Sequence, residues 1–266
     1  MMMQGATAVD GNTVYITPGG SHCVWAYELK EDEWTGLPDC PQRDAGLAIV
    51  NGLLTAVGGR TEDGDVTNTL VSLSEKWTEH FPPMPMELYD PAVVCDGNYL
   101  LVTETGENIY VMDTTSLQWF LAGSLALPSP VPSLAVCGTE LYVLDSIGSV
   151  FSCSLPTLFH TSSVVQPETT DVWQRLANIP VSDSTITTLC GQLVAVGGYD
   201  PRSTHLNPID TIHQYDTSTN TWHVIGHIPT ARCKCLVATL PGDTLVVIGG
   251  ITTKRHFDVV EVAHPV

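Results

Sequence analysis

Short apolar runs punctuated by turn residues cover the chain. Within residues 46–81, "GLAIV", "LLTAVGG", "NTLVSL" and "KWTEHF" are four such runs. They are rich in β-branched and aromatic residues and bounded by Asn, Asp, Gly and Pro, the signature of short strands. "VDG", "VNG" and "CDG" predict tight turns after the first strand of a unit, because Gly and Asn tolerate positive φ. No helical period competes. The longest mixed segment, 156–171, carries two prolines and no 3.6-residue stripe. The pattern predicts an all-β chain of antiparallel strands.

The strands recur in units. "GLLTAVGG" at 52–59 is nearly repeated as "GQLVAVGG" at 191–198. "TVYITPGG" ends at Gly20 and "DTLVVIGG" at Gly250, and degraded copies occur at 98–105 ("NYLLVTET") and 139–146 ("TELYVLDS"). The ends step by 39, 46, 41, 52 and 52 residues, which makes six units. A tryptophan follows every copy but the last: Trp34, Trp77, Trp119, Trp173 and Trp222. Tyr27, Met112 and Tyr215 each stand seven residues before their Trp. Several Trp stretches then run to a proline, as in "EWTGLP" and "VWQRLANIP".

These marks, across residues 5–262, resemble the kelch-repeat β-propeller family. The resemblance implies one domain over 1–266, a six-bladed propeller of four-stranded antiparallel blades. The blades are placed at about 5–37, 45–82, 90–126, 132–179, 184–228 and 231–262. A four-stranded blade buries neither face alone and has to stack on neighbours. The double glycines let inner strands approach closely, and the indoles are expected to fill the space between blades. After Gly250 only "ITTKRHFDVVEVAHPV" remains, with no Trp, so the last blade is expected to lack its outer strand. The chain is accordingly expected to belong to a longer multidomain protein, or else to close with a three-stranded blade.

Charge narrows the partners. Twenty-nine acidic and ten basic residues give a net charge of −19. Nucleic acid and anionic membrane surfaces both select basic stripes and are not expected as partners. The N-terminus carries neither the positive charge nor the apolar run of a signal peptide. The eight cysteines are spread along the chain, unlike a dense disulfide scaffold, and imply reduced thiols and a cytoplasmic location.

No sequence motif for nucleotide, zinc or nucleophilic catalysis occurs. "CKC" would place Cys233 and Cys235 on one face of a strand, as core thiols and not as a metal site. No catalytic residue, metal or cofactor is therefore expected. The resemblance leaves one enzymatic alternative, because some kelch-like propellers are metal-dependent oxidases. Tyr199, His205 and His256 lie in loops of adjacent units and supply the ligand types for such a site.

In kelch propellers the loops joining strands b–c and d–a share the face used for partners. Arg43, Arg60, Arg202, Arg232, Lys234, Lys254 and Arg255 fall on or beside that face. Five of them belong to units five and six, whereas the b–c loops of units two and three carry Glu62, Asp63, Asp65, Glu104 and Glu107. The expectation is a non-enzymatic module that binds a protein or peptide with an acidic segment. Arg202, Arg232, Lys254 and Arg255 would be its ligands, with Arg43, Arg60, Tyr199, His205 and His256 on the same face. Arg43 and Arg232 follow prolines in "PQR" and "PTAR", so a structural role for both remains open. Ubiquitin-ligase adaptors and cytoskeletal scaffolds are the settings the family suggests, though no BTB-type domain lies in these residues. A purely structural spacer is the second alternative. The segment 155–171, rich in Ser, Thr and Pro and containing Thr161, Ser162 and Ser163, is expected to form a mobile insertion.

Overall fold

The computed structural model describes residues 5–103, 108–125, 127–129, 133–156, 173–203, 205, 207–252 and 260–263. The expected insertion after residue 156 lies outside them. The chain divides into two compact units, Met1–Ser124 and Leu125–Val266, each holding three antiparallel sheets.

In the first unit, sheet one comprises β1 (Ala6–Asp10), β2 (Thr13–Thr17), β3 (Val24–Glu28) and β4 (Glu33–Leu37). Sheet two comprises β5 (Gly46–Val50), β6 (Leu53–Val57), β7 (Leu70–Leu73) and β8 (Trp77–Glu79). Sheet three comprises β9 (Ala92–Cys95), β10 (Tyr99–Thr103), β11 (Asn108–Asp113) and β12 (Trp119–Ser124). In the second unit, sheet four comprises β13 (Ser133–Cys137), β14 (Glu140–Leu144), β15 (Val150–Ser154) and β16 (Gln174–Arg175). Sheet five comprises β17 (Thr185–Leu189), β18 (Gln192–Val196), β19 (Thr211–Asp216) and β20 (Thr221–His227). Sheet six has three strands among the described residues: β21 (Leu236–Leu240), β22 (Thr244–Ile248) and β23 (Val260–Ala263). The sheets are the six blades, and within each the strands pair in chain order.

Burial follows the order of the strands. The second strands, such as β18 and β22, are almost wholly buried, whereas β4 and β20 are largely exposed. In the first unit β5 lies beside β1 and β9. Leu47, Leu54 and Ala56 pack with Ala8 and Val24 on one side of blade two. Val50 and Leu70 pack with Leu100 and Met112 on its other side. In the second unit β17 lies beside β13 and β21. Leu193 and Tyr215 pack with Tyr142 and Leu144, and Val194 and Ile212 with Val237 and Leu245. Blades two and five thus bury both faces by lying between neighbours of their own unit, as expected of twisted sheets with two apolar sides.

The seven-residue spacing has a direct cause. Tyr27, Met112 and Tyr215 are the cross-strand partners of Trp34, Trp119 and Trp222. Two of the pairs stack at 5.1 and 5.2 Å between ring centroids. The buried hydroxyls need acceptors. Tyr27 donates to Asp32 at 2.7 Å and Tyr215 to Asn220 at 2.9 Å. Burial, followed by the Asp32 contact, pushes the Tyr27 phenol up to about 12. Asp32 and Asn220 turn the chain at φ of 52° and 53°, where short polar side chains are tolerated. Where the tyrosine is Met112, with no hydroxyl to satisfy, the turn residue is Leu117.

Trp77, Trp119 and Trp222 are half-buried and pack against the apolar clusters between adjacent blades, as expected. Trp34 is 40% exposed. The three packed indoles also make a directional contact. Trp77 donates its indole N–H to the Pro38 carbonyl at 2.8 Å, Trp119 to Pro82 at 3.0 Å and Trp222 to Ala177 at 2.9 Å. In each case the acceptor lies just past the outer strand of the preceding blade, in the stretch running to proline. One hydrogen bond therefore pins adjacent blades at their periphery.

Candidate interaction face and its arginines

The double glycines and the segments preceding each first strand build one end of the blades. In blade two, Arg43 and Arg60 exchange backbone hydrogen bonds of 2.9 and 2.8 Å. Ser182 and Tyr199 do the same in blade five, as do Cys233 and Ile251 in blade six. Each bridge ties the d–a segment to the start of that blade's b–c loop, so the two loop types share an end. The second glycine makes the approach possible. Gly198 has φ of +107°, and a Cβ there would lie 2.7 Å from the Ser182 carbonyl oxygen. Gly250 has φ of +95°, with the Cys233 carbonyl 2.9 Å from a Cβ position.

These bridges give a register that the sequence alone misaligns. Arg43, Ser182 and Cys233 are equivalent, and each is followed by a residue at positive φ: Asp44, Asp183 and Lys234. Asp90 has the same backbone in blade three, which makes Tyr89 the counterpart of Arg43. Arg232 is one position earlier. Its counterparts are Gln42 and Val181, both buried. Cys233 and Cys235 accordingly flank the kink at Lys234 and precede β21, instead of sharing a strand face. Both are buried, and burial raises their thiols to about 11 and about 12.

Arg232 does not present its charge to a partner, and that expectation is corrected. The side chain is fully buried, with Nη2 2.6 Å from Glu261 Oε1. Nε donates to the Thr230 carbonyl at 3.2 Å and Nη1 to the Gly249 carbonyl at 3.1 Å. Lys234 lies 3.4 Å from Asp183. Arg202 is exposed and lies 3.1 Å from Asp200. Asp200 also accepts the Arg202 backbone N–H at 2.9 Å, and these bonds from Arg202 hold its carboxyl below the usual range. Each described cation of blades five and six, other than the histidines, therefore has a carboxylate of its own. Tyr199 is half-buried in its bridges to Ser182 and Pro208, and His205 is exposed. Lys254, Arg255 and His256 lie outside the described residues, as do Glu104 and Glu107.

Blade two is different. Arg43 and Arg60 are half-buried, and no carboxylate among the described residues lies within ion-pair distance of either. The Nε atom of each is cut off from solvent without a hydrogen-bond partner. Arg60 stacks on the Tyr89 ring, its guanidinium carbon 4.2 Å from the centroid. Tyr89 carries no motif and was not foreseen; its equivalence to Arg43 becomes visible only once Asp44 and Asp90 are aligned. Among the described residues no three His, Cys, Asp or Glu side chains come together to hold a metal. No helix among them is long and apolar enough to cross a membrane.

Comparisons with known proteins agree with this architecture. The kelch motif model matches residues 180–227, which span blade five. Kelch-like protein 23 of Pongo abelii is 24% identical over 85% of this chain and 42% of its own length. Alpha-scruin of Limulus polyphemus is 23% identical over 94% of this chain and 25% of its own. The chain therefore spans less than half the length of these curated relatives. The solved structure of YjhT superposes with a TM-score of 0.73 at 16% identity, covering 99% of this chain and 97% of that one. The six blades, their double-glycine bridges, the Tyr–Trp pairs and these likenesses together show a six-bladed β-propeller that carries a kelch motif in blade five and is similar to kelch-repeat proteins.

Proposed function

We propose that the chain is a non-enzymatic protein-interaction module. It binds a partner protein or peptide through the face made by its b–c and d–a loops, as one part of a larger cytoplasmic protein. The observation that carries this reading is the loop architecture. Paired backbone bridges and glycine contacts hold the two loop types together on a rigid β-scaffold, the arrangement that favours recognition over chemistry. Kelch-like protein 23 and alpha-scruin, each longer than this chain, are consistent with a module inside a larger protein.

Affinity capture with mass spectrometry tests it, using three forms of the chain. One is unaltered. A second carries Arg43, Arg60, Arg202, Lys254 and Arg255 changed to Glu. A third carries Lys30→Glu and Lys76→Glu, at exposed turns between third and fourth strands. A small set of proteins lost only from the second form is the expected result. Equal recovery by all three forms contradicts the reading.

A further inference from the structure

We propose that Asn51–Gly52 is a self-modification site. Asn51 deamidates when blade two opens, and its product cannot refasten blade two to blade three.

The sequence singles out this pair. Deamidation begins when the backbone nitrogen of the following residue attacks the carbonyl carbon of the asparagine side chain. A side chain on that following residue obstructs the attack, and glycine has none. Asn51 is the only one of the chain's eight asparagines that precedes glycine; the other seven precede Thr, Tyr, Ile or Pro.

The local backbone leaves the reacting atoms open. Asn51 and Gly52 form the two-residue turn between β5 and β6, at φ of 50° and 78°. Such a turn favours asparagine followed by glycine. Both residues are exposed, and nothing lies within 4 Å of a Cβ position on Gly52.

One bond stands against the reaction. Asn51 Nδ2 donates to the Thr114 carbonyl at 2.8 Å. Thr114 is buried in the turn between β11 and β12 of blade three, and it is itself held. Its N–H donates to the Asn98 carbonyl at 2.9 Å, and its hydroxyl to the Gly97 and Asn98 carbonyls at 3.0 Å each. The amide nitrogen that has to leave as ammonia is therefore the atom that straps blade two to blade three. Cys190 has the same backbone in blade five, at φ of 51°. There the backbone N–H makes the link to the next blade, donating to Asp243 Oδ1 at 2.7 Å, and no leaving group is involved.

The step needs only water. Gly52 N bonds to Asn51 Cγ, the Cγ–Nδ2 bond breaks, and ammonia leaves with the proton of the Gly52 N–H. Water then opens the resulting succinimide at either carbonyl, giving aspartate or isoaspartate. An ionised carboxylate only accepts hydrogen bonds, so neither product can donate to the Thr114 carbonyl. That buried carbonyl loses its Asn51 donor, at a cost to the closed state. Isoaspartate also lengthens the turn by one backbone atom, against the pairing of Val50 with Leu53. The modification is one-way: opening frees the side chain, and the product resists closing.

The test follows the tryptic segment 44–60, in which Asn51 is the only asparagine. The chain is incubated at mildly alkaline pH, native and in denaturant, then digested and measured by mass spectrometry. The expected result is that this segment becomes one mass unit heavier in the native chain, ahead of every other asparagine-containing segment. In denaturant the gain should be about fivefold faster, the factor that one hydrogen bond commands. Asn51→Asp, which copies one product, lowers the melting midpoint by about 5 °C. Lys30→Gln changes the net charge by the same amount, at an exposed position in the turn between β3 and β4, and leaves the midpoint unchanged. A segment that keeps its mass in the native chain overturns the site. Equal rates with and without denaturant overturn the gating by the Thr114 bond. An Asn51→Asp chain that melts with Lys30→Gln overturns the loss of the strap.

Discussion

Replacing Glu261 by alanine is expected to lower the folding stability by about 3–5 kcal/mol, the largest effect of any single substitution considered for this chain. Glu261, on β23, lies 2.6 Å from the Arg232 guanidinium, and Arg232 is fully buried. Removing it takes that carboxylate from a cation in a place water does not reach. The bonds to the Thr230 and Gly249 carbonyls supply dipoles. For a chain of this size the melting midpoint should fall by roughly 10 °C. The mechanism predicts its own rescue. Arg232→Met in the Glu261→Ala background should recover most of the loss, because an apolar stem of similar length fills the site without a charge to neutralise. Thermal melts of the two single variants and the double variant measure both. If the double variant is no better than Glu261→Ala alone, the loss comes from packing and not from the stranded charge.

Gly198→Ala is expected to cost about 2–3 kcal/mol, from two sources. A residue with a Cβ is unfavourable at positive φ by about 1–2 kcal/mol. Here φ is +107°, and the new methyl would stand 2.7 Å from the Ser182 carbonyl oxygen and 3.2 Å from Ser184 Cβ. The backbone must therefore move, and the bridge from Ser182 to Tyr199 moves with it. Gly191 provides the internal comparison. Its φ is +68°, yet no atom lies within 4 Å of a Cβ there, so Gly191→Ala should lose only the conformational part. Denaturant unfolding of both variants checks the difference. Equal losses would mean that close approach is not what the second glycine provides.

The fold was legible because it is written six times. Four of the units keep the double glycine and five keep the Trp. The physical demand behind each mark is local: a positive φ, or a cross-strand partner for Tyr27, Met112 or Tyr215. The charge map was far less legible, since neutralisation depends on residues distant in sequence. Glu261 lies 29 positions from Arg232, and Asp183 lies 51 from Lys234. Neither belongs to a motif. Asp200 did leave a trace, because Asp before Pro-Arg in "YDPR" suits a turn in which the Asp side chain bonds the backbone two residues on, as it does here.

Arg43 and Arg232 look equivalent from the prolines that precede them. The bridge residue stands two positions after Pro41 but four after Pro229, so Arg43, two on, reaches the bridge, and Arg232, three on, reaches the interior. A single position separates an arginine at the loop bridge from a buried one. Of the basic residues read into blades five and six, the described Arg202, Arg232 and Lys234 are paired within the chain.

The most direct test of the central claim is site-specific photo-crosslinking in lysate. Benzoylphenylalanine is placed at Glu62 or Pro201, in the b–c loops of blades two and five, and at Lys76 or Thr217, in the turns between third and fourth strands. A protein partner crosslinked from Glu62 or Pro201 and not from Lys76 or Thr217 is the predicted outcome. Crosslinks confined to Lys76 or Thr217 would place recognition at the opposite ends of the strands and contradict the account.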